Sequence, residues 1–92
     1  MTITVANQTF DHASYDAERD VLYLRVTRHG PTARTEASPE GHALRYADDG
    51  TLIGVTIVNA KWLLERDGAI SITFSDRVEL GPDVLAPALS PA

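Results

Sequence analysis

The chain contains no cysteine, which removes the disulfide framework, the thiolate nucleophile and every Cys-based zinc or iron–sulfur site together. A reducing compartment suits such a sequence. No apolar run approaches the roughly 18 residues of a membrane span. The start, Met1-Thr2-Ile3-Thr4-Val5-Ala6-Asn7-Gln8, lacks the basic residues and apolar stretch of a secretory leader. A soluble, cytoplasmic protein without membrane contact is the expectation. Basic residues are scarce: 8 Lys plus Arg stand against 13 Asp plus Glu, net −5, which repels a phosphate backbone and disfavours nucleic acid as a general partner. There is no Gly-rich phosphate loop and no nucleophile elbow around Ser14, Ser38, Ser71 or Ser75. No catalytic residue and no cofactor is therefore expected, and an enzyme is the less favoured class.

What is present is the composition of an ordinary globule, 43% hydrophobic and 23% charged over 92 residues. A chain this short supports one core, so residues 1–92 are read as a single domain with a frayed end from about residue 87, where Pro87 and Pro91 crowd the terminus. Small domains gain much from covering one more apolar face with a second copy, and a homodimer is the expected assembly.

Period-2 alternation dominates the chain and predicts a mainly β protein. Ile3 and Val5, a turn at Asn7-Gln8 and a run from Thr9 to Tyr15 anchored by Phe10 predict an opening hairpin. Val21-Leu22-Tyr23-Leu24-Arg25-Val26 is the strongest strand, with Leu22, Leu24 and Val26 on one face and Val21, Tyr23 and Arg25 on the other. Residues 28–42 read as loop with a weak edge strand at Thr32 to Glu36. Leu44 and Tyr46, then Ile53, Val55 and Ile57, predict a hairpin turning at Asp48-Asp49-Gly50. A two-residue Asp49-Gly50 loop would oppose Tyr46 to Ile53 and Leu44 to Val55, leaving Gly54 as a gap on the other face.

Asn59 to Gly68 reads as one short helix, with Asn59 as N-cap, Gly68 as left-handed C-cap, and Ala60, Leu63 and Leu64 facing the sheet. Ile70, Ile72 and Phe74 form a further strand, Val78 and Leu80 continue the sheet, and at most one helical turn fits around Asp83 to Ala86. The fold class expected is α+β: a mainly antiparallel sheet of five to seven short strands with one short helix packed on it.

The segment Tyr15-Asp16-Ala17-Glu18-Arg19-Asp20-Val21-Leu22-Tyr23-Leu24, followed by Asp49-Gly50-Thr51-Leu52-Ile53-Gly54-Val55-Thr56-Ile57, resembles small bacterial proteins grouped as domain of unknown function 2283. The likeness spans roughly residues 10 to 75, and many members carry an acidic residue where Thr56 stands. The resemblance implies a compact α+β domain and, through relatives encoded beside ribonuclease-like toxins, an antitoxin-like setting. It implies no catalytic residue.

Among the residues themselves, Asp16, Glu18 and Asp20 have the spacing of a calcium-loop start, but Val21 and Thr27 stand where that loop needs Gly and Glu. A turn in which Asp16 and Asp20 bond local amides is expected instead. Tyr15 and Tyr23, flanking it, are expected to pack as a pair across the hairpin. His12, His29 and His42 lack ligand spacing, so no metal site is expected. Tyr23, Arg25, Arg45 and Trp62 are the candidate partner-interface residues. The first three form an outward Arg and Tyr surface, and Trp62 is either a core-edge residue or a half-exposed anchor. The sequence thus favours a non-catalytic, self-associating interaction module that masks a basic protein partner, with a nucleic-acid or small-ligand binding module as the alternative.

Overall fold

The computed structural model describes residues 2–5, 8–28, 30–74 and 77–89. At its centre is a five-stranded antiparallel sheet ordered β3-β4-β7-β6-β5: β3 (His12–Asp16), β4 (Val21–Arg25), β5 (Arg34–Ala37), β6 (Ala43–Tyr46) and β7 (Leu52–Val58). Alternation sorts these strands into two faces. Leu22, Leu24, Leu44, Val55 and Ile57 point inward and are fully or nearly fully buried. Two hairpins share this core. One pairs β1 (Ile3–Val5) with β2 (Gln8–Phe10) and contributes Ile3, Val5 and Phe10. The other pairs β8 (Ile70–Thr73) with β9 (Arg77–Leu80) and contributes Ile70, Ile72 and Leu80. Helix α1 (Ala60–Asp67) adds Ala60, with Leu63 and Leu64 half-buried against the same cluster. The α+β class and the antiparallel sheet are as expected.

The chain departs from expectation where long-range contacts compete with local pattern. The run from Thr9 to Tyr15 is not one strand: it breaks at Asp11 into β2 and β3, which belong to different sheets. The Asp11 carboxylate accepts both the Thr27 backbone N–H, at 2.9 Å, and the Thr27 hydroxyl, pinning the break to the end of β4. The turn expected at Asn7-Gln8 lies partly outside the described residues. The edge strand β5 is shifted two residues on from its expected start.

The β6–β7 loop is a three-residue one, Asp48-Asp49-Gly50, in place of the two-residue turn. Ala47 N–H donates to Thr51 O (2.9 Å), Gly50 N–H to Ala47 O (3.0 Å), and Gly50 has φ 84°. A left-handed glycine closing a type I turn is the natural three-residue solution. It would slip the register by one, but a bulge at Ile53 absorbs the odd residue. Tyr46 pairs with Leu52, and beyond the bulge Arg45 pairs with Gly54 and Leu44 with Val55. The apolar face is kept, although Tyr46 does not meet Ile53.

Two helix ends are also corrected. Asn59 has φ 55° and makes no side-chain cap; the cap comes from elsewhere, as described below. Gly68 is the left-handed C-cap expected, φ 77°, its N–H donating to Leu64 O. At the C-terminus α2 (Pro82–Leu85) runs on into a 3-10 turn at Ala86–Leu89, burying Leu85 and Ala88, where one turn and a frayed end were expected. Pro82 at the helix start and Pro87 early in the 3-10 turn occupy positions that need no N–H donor. Residues 90–92 of that end lie outside the described ones.

Candidate functional site

The outer face of the five-stranded sheet is where the candidate residues meet. Register places His12, Arg25, Gly54 and Arg45 in one row across β3, β4, β7 and β6, with Ser14, Tyr23, Thr56 and Ala43 in the next. Because all eight occupy the same alternation phase, their side chains share one side. Gly54 is the gap in this row. A Cβ there would stand 3.4 Å from Arg45 Cβ and 3.5 Å from Arg45 Cδ, so the arginine stem lies across the glycine. Arg45 Nη1 reaches on to donate to Thr56 Oγ1 at 2.6 Å.

A groove of about 700 Å³ opens above this row, lined by His12, Tyr23, Arg25, Arg45 and, from the loop after β4, Pro31 and Thr32. Ala33 N–H donates to Tyr46 O at 2.8 Å, which ties that loop to the sheet as a wall. Among the described residues no Asp or Glu lines it. Four arginines outside the groove are treated differently. Arg19, Arg34, Arg66 and Arg77 each pair with a carboxylate close in sequence, Asp16, Glu36, Asp67 and Glu79. Among the described residues Arg25 and Arg45 have no such partner. A net-acidic protein thus keeps two unneutralised guanidinium groups on one small surface. Charge of that kind attracts an anion, and guanidinium geometry suits carboxylate or phosphate oxygens.

The acidic turn has a different role. Asp16 accepts the Glu18 and Arg19 amides at 3.1 and 3.3 Å, the local turn expected. Asp20 does not bond local amides. Its backbone sits at φ 57° and its carboxylate caps helix α1 from 41 residues away. Asp20 Oδ1 accepts Lys61 N–H at 2.7 Å and Oδ2 accepts Trp62 N–H at 3.0 Å, while Asp20 O accepts Ala60 N–H. Tyr15 donates its hydroxyl to Asp20 Oδ1 at 2.7 Å. Partial burial pushes the Asp20 carboxyl up, but the bonds from Tyr15, Lys61 and Trp62 outweigh it and hold the group below the usual carboxylate range. Burial, then the bond to Asp20 and its charge, push the Tyr15 hydroxyl up to about 12. The Tyr15…Asp20 part of the motif is therefore a helix lock. The β3–β4 register separates the two tyrosines: Tyr15 pairs with Leu22 and Tyr23 with Ser14, on opposite faces of the sheet, so the expected tyrosine pair does not form.

A second cavity, about 540 Å³, lies by His42, Glu40, Arg66, Ser71 and Arg77. His42 is 1% exposed; its Nδ1 accepts Val58 N–H at 3.3 Å and its Nε2 has no partner among the described residues. Burial holds its pKa below the ordinary imidazole value, against a smaller upward pull from Glu40. The charges around this cavity are already engaged. Arg66 and Arg77 hold Asp67 and Glu79, and Glu40 accepts the Thr73 amide and hydroxyl at 2.9 and 2.6 Å.

Of the four residues singled out in the sequence, the fold brings Tyr23, Arg25 and Arg45 to one groove. Trp62 is not part of it. It stands 53% exposed on α1 with the Arg66 guanidinium 4.4 Å above its ring. His12 shares the groove, and the signal that could have found it was its pairing with Arg25 across the β3–β4 hairpin. Pro31 and Thr32 could not be found that way, because a loop wall has no periodicity. His29 lies outside the described residues. Among the described residues no cluster of His, Asp or Glu is arranged to hold a metal ion, and no helix is long and apolar enough to cross a membrane.

Neither a curated protein nor a solved structure matches the chain. A family model does, over residues 12–61, more than half of the sequence and the stretch that runs from β3 through the start of α1. That stretch holds Tyr15 and Asp20 of the helix lock and every groove residue, and by it the chain belongs to the family described as protein of unknown function (DUF2283).

Proposed function

We propose that this protein is a non-catalytic binding module that receives an anionic ligand on the outer face of its five-stranded sheet. One observation carries the reading: Arg25 and Arg45 flank Gly54 in a groove with no Asp or Glu among its described lining residues, while four other arginines are neutralised by neighbouring acids. The volume falls within the range of about 300 to 1,000 Å³ typical of small-molecule sites. The test is a titration with inorganic phosphate at low ionic strength, followed by amide chemical shifts. Shifts at Arg25, Arg45 and Gly54 that disappear in the Arg25→Gln, Arg45→Gln double variant support the reading. Shifts scattered over the surface, or unchanged in that variant, contradict it.

A second reading rests on helix α1. Exposed Trp62, with Glu65 and Asp67 on the same helix and a net charge of −5, suits an anchor for a second copy or a basic protein partner. Light scattering of wild type and Trp62→Ala, with capture from lysate at low and high salt, tests it. A monomer that retains no basic protein counts against it.

A further inference from the structure

We infer that the ligand of the outer-face groove is a nucleoside monophosphate, its phosphate held by Arg25 and Arg45 and its base lying against Tyr23. The inference rests on the anion-binding reading above and adds what the remainder of the groove selects. A phosphate fills only a small part of about 700 Å³, so the ligand has a body beyond its charged end. Among the described residues no Asp or Glu lines the groove, so a ligand's ammonium would find no ionic partner in the lining, which disfavours amino acids and polyamines. What the lining offers that body is the aromatic side chain of Tyr23, 40% exposed and one step along β4 from the Arg25 row. Beside it stand apolar Val26 and Pro31 and the hydroxyls of Ser14 and Thr32. Aromatic rings bind bases through their π faces with little preference among them, and Ser and Thr hydroxyls suit a sugar.

A strand of nucleic acid fits less well. Its affinity comes from many phosphate contacts along a basic track. Here the lining holds two arginines, in a protein of net charge −5. One phosphate is matched, and further ones are repelled.

Titration of the intact protein with adenosine 5′-monophosphate, ribose 5-phosphate and a short oligoadenylate, by calorimetry and amide chemical shifts, tests the inference. Adenosine 5′-monophosphate is expected to bind with Kd below about 1 mM and to move the Tyr23, Arg25 and Gly54 amides. Ribose 5-phosphate is expected to bind about tenfold more weakly. Tyr23→Leu should bring the nucleotide to the sugar phosphate's affinity and leave the sugar phosphate unchanged, whereas Arg25→Gln should weaken both by about tenfold or more. Both substitutions are at exposed positions, and preserved amide dispersion checks their fold. Equal affinity for nucleotide and sugar phosphate, or no effect of Tyr23→Leu, overturns the base contact while leaving the anion site standing. Binding of the oligoadenylate alone overturns the monomeric ligand. If these ligands and inorganic phosphate all fail to move the groove amides, the inference and the anion reading fall together.

Discussion

The inner and outer faces of the five-stranded sheet are cut from the same strands, residue by alternate residue, yet they answer to different physics. Inward, Leu22, Leu24, Leu44, Val55 and Ile57 are held by many weak contacts with both hairpins and α1. Outward, the character of the surface depends on a few positions: Gly54 for room, Arg25 and Arg45 for charge, Tyr23 for a ring. The first face is redundant in kind and costly in energy. The second is specific in kind and nearly free of stability. Each strand therefore carries two separable messages, and substitution can erase one without the other.

The widest gap between the faces should appear with Leu24→Ala and Arg25→Gln, adjacent residues of β4. Leu24→Ala removes a nearly fully buried side chain and should cost about 2 to 5 kcal/mol in urea unfolding. If it costs under about 1 kcal/mol, the core is more plastic than its burial implies.

The next effect belongs to the lock at the sheet's edge. Asp20→Ala leaves the Lys61 and Trp62 amides and the Tyr15 hydroxyl without their acceptor and should cost about 1 to 3 kcal/mol. Tyr15→Phe removes a single bond and should cost about 1 kcal/mol. A double variant much less destabilised than the sum of the two locates the coupling in the Tyr15–Asp20 bond.

A smaller effect is read by pH. The folded pKa of His42 lies below its ordinary value of 6.5, so the unfolded chain takes the proton first. The contribution of His42 to stability is complete above about pH 6.5 and declines as pH falls below it. Asp20 has the usual carboxylate sign: its folded pKa is depressed, so its stabilisation persists down to the unfolded carboxyl range near pH 4 and is lost below that. Denaturant midpoints at pH 7.5 and 5.5 isolate the histidine. The drop between them should shrink in His42→Asn, whose side-chain oxygen can stand where Nδ1 does. An equal drop in wild type and variant excludes His42 as its source.

The smallest effect sharpens the contrast most. Arg25→Gln, at an exposed position, should leave unfolding within about 0.5 kcal/mol of wild type. A larger loss would show that the outer face carries structural weight after all, and that its arginines are not reserved for a ligand.

Much of this was legible in advance, and the unevenness has a cause. Alternation at Leu22, Leu24, Val55 and Ile57 predicts the buried face, because burial of one sheet face imposes period 2 on neighbouring residues. The same rule places Tyr23, Arg25 and Arg45 outward and opens the gap at Gly54. Local reasoning of other kinds fails at Tyr15, Asn59 and Tyr46. At Tyr15 the register across the hairpin decided the face. At Asn59 an acceptor distant in the chain displaced the local cap. At Tyr46 a bulge repaired a loop of the other length.

By itself, then, the sequence determined the α+β class, the two faces, the short helix with its glycine cap, and the absence of thiol chemistry, since each follows from residue types or from neighbours within a few positions. Only the tertiary structure decided that Asp20 caps α1, that Pro31 and Thr32 wall a groove, that four arginines find carboxylates while Arg25 and Arg45 do not, and that Trp62 stands apart. Those outcomes depend on which distant segments meet. Local periodicity carries no record of that, because the energies that choose among long-range contacts arise only when the chain has closed on itself.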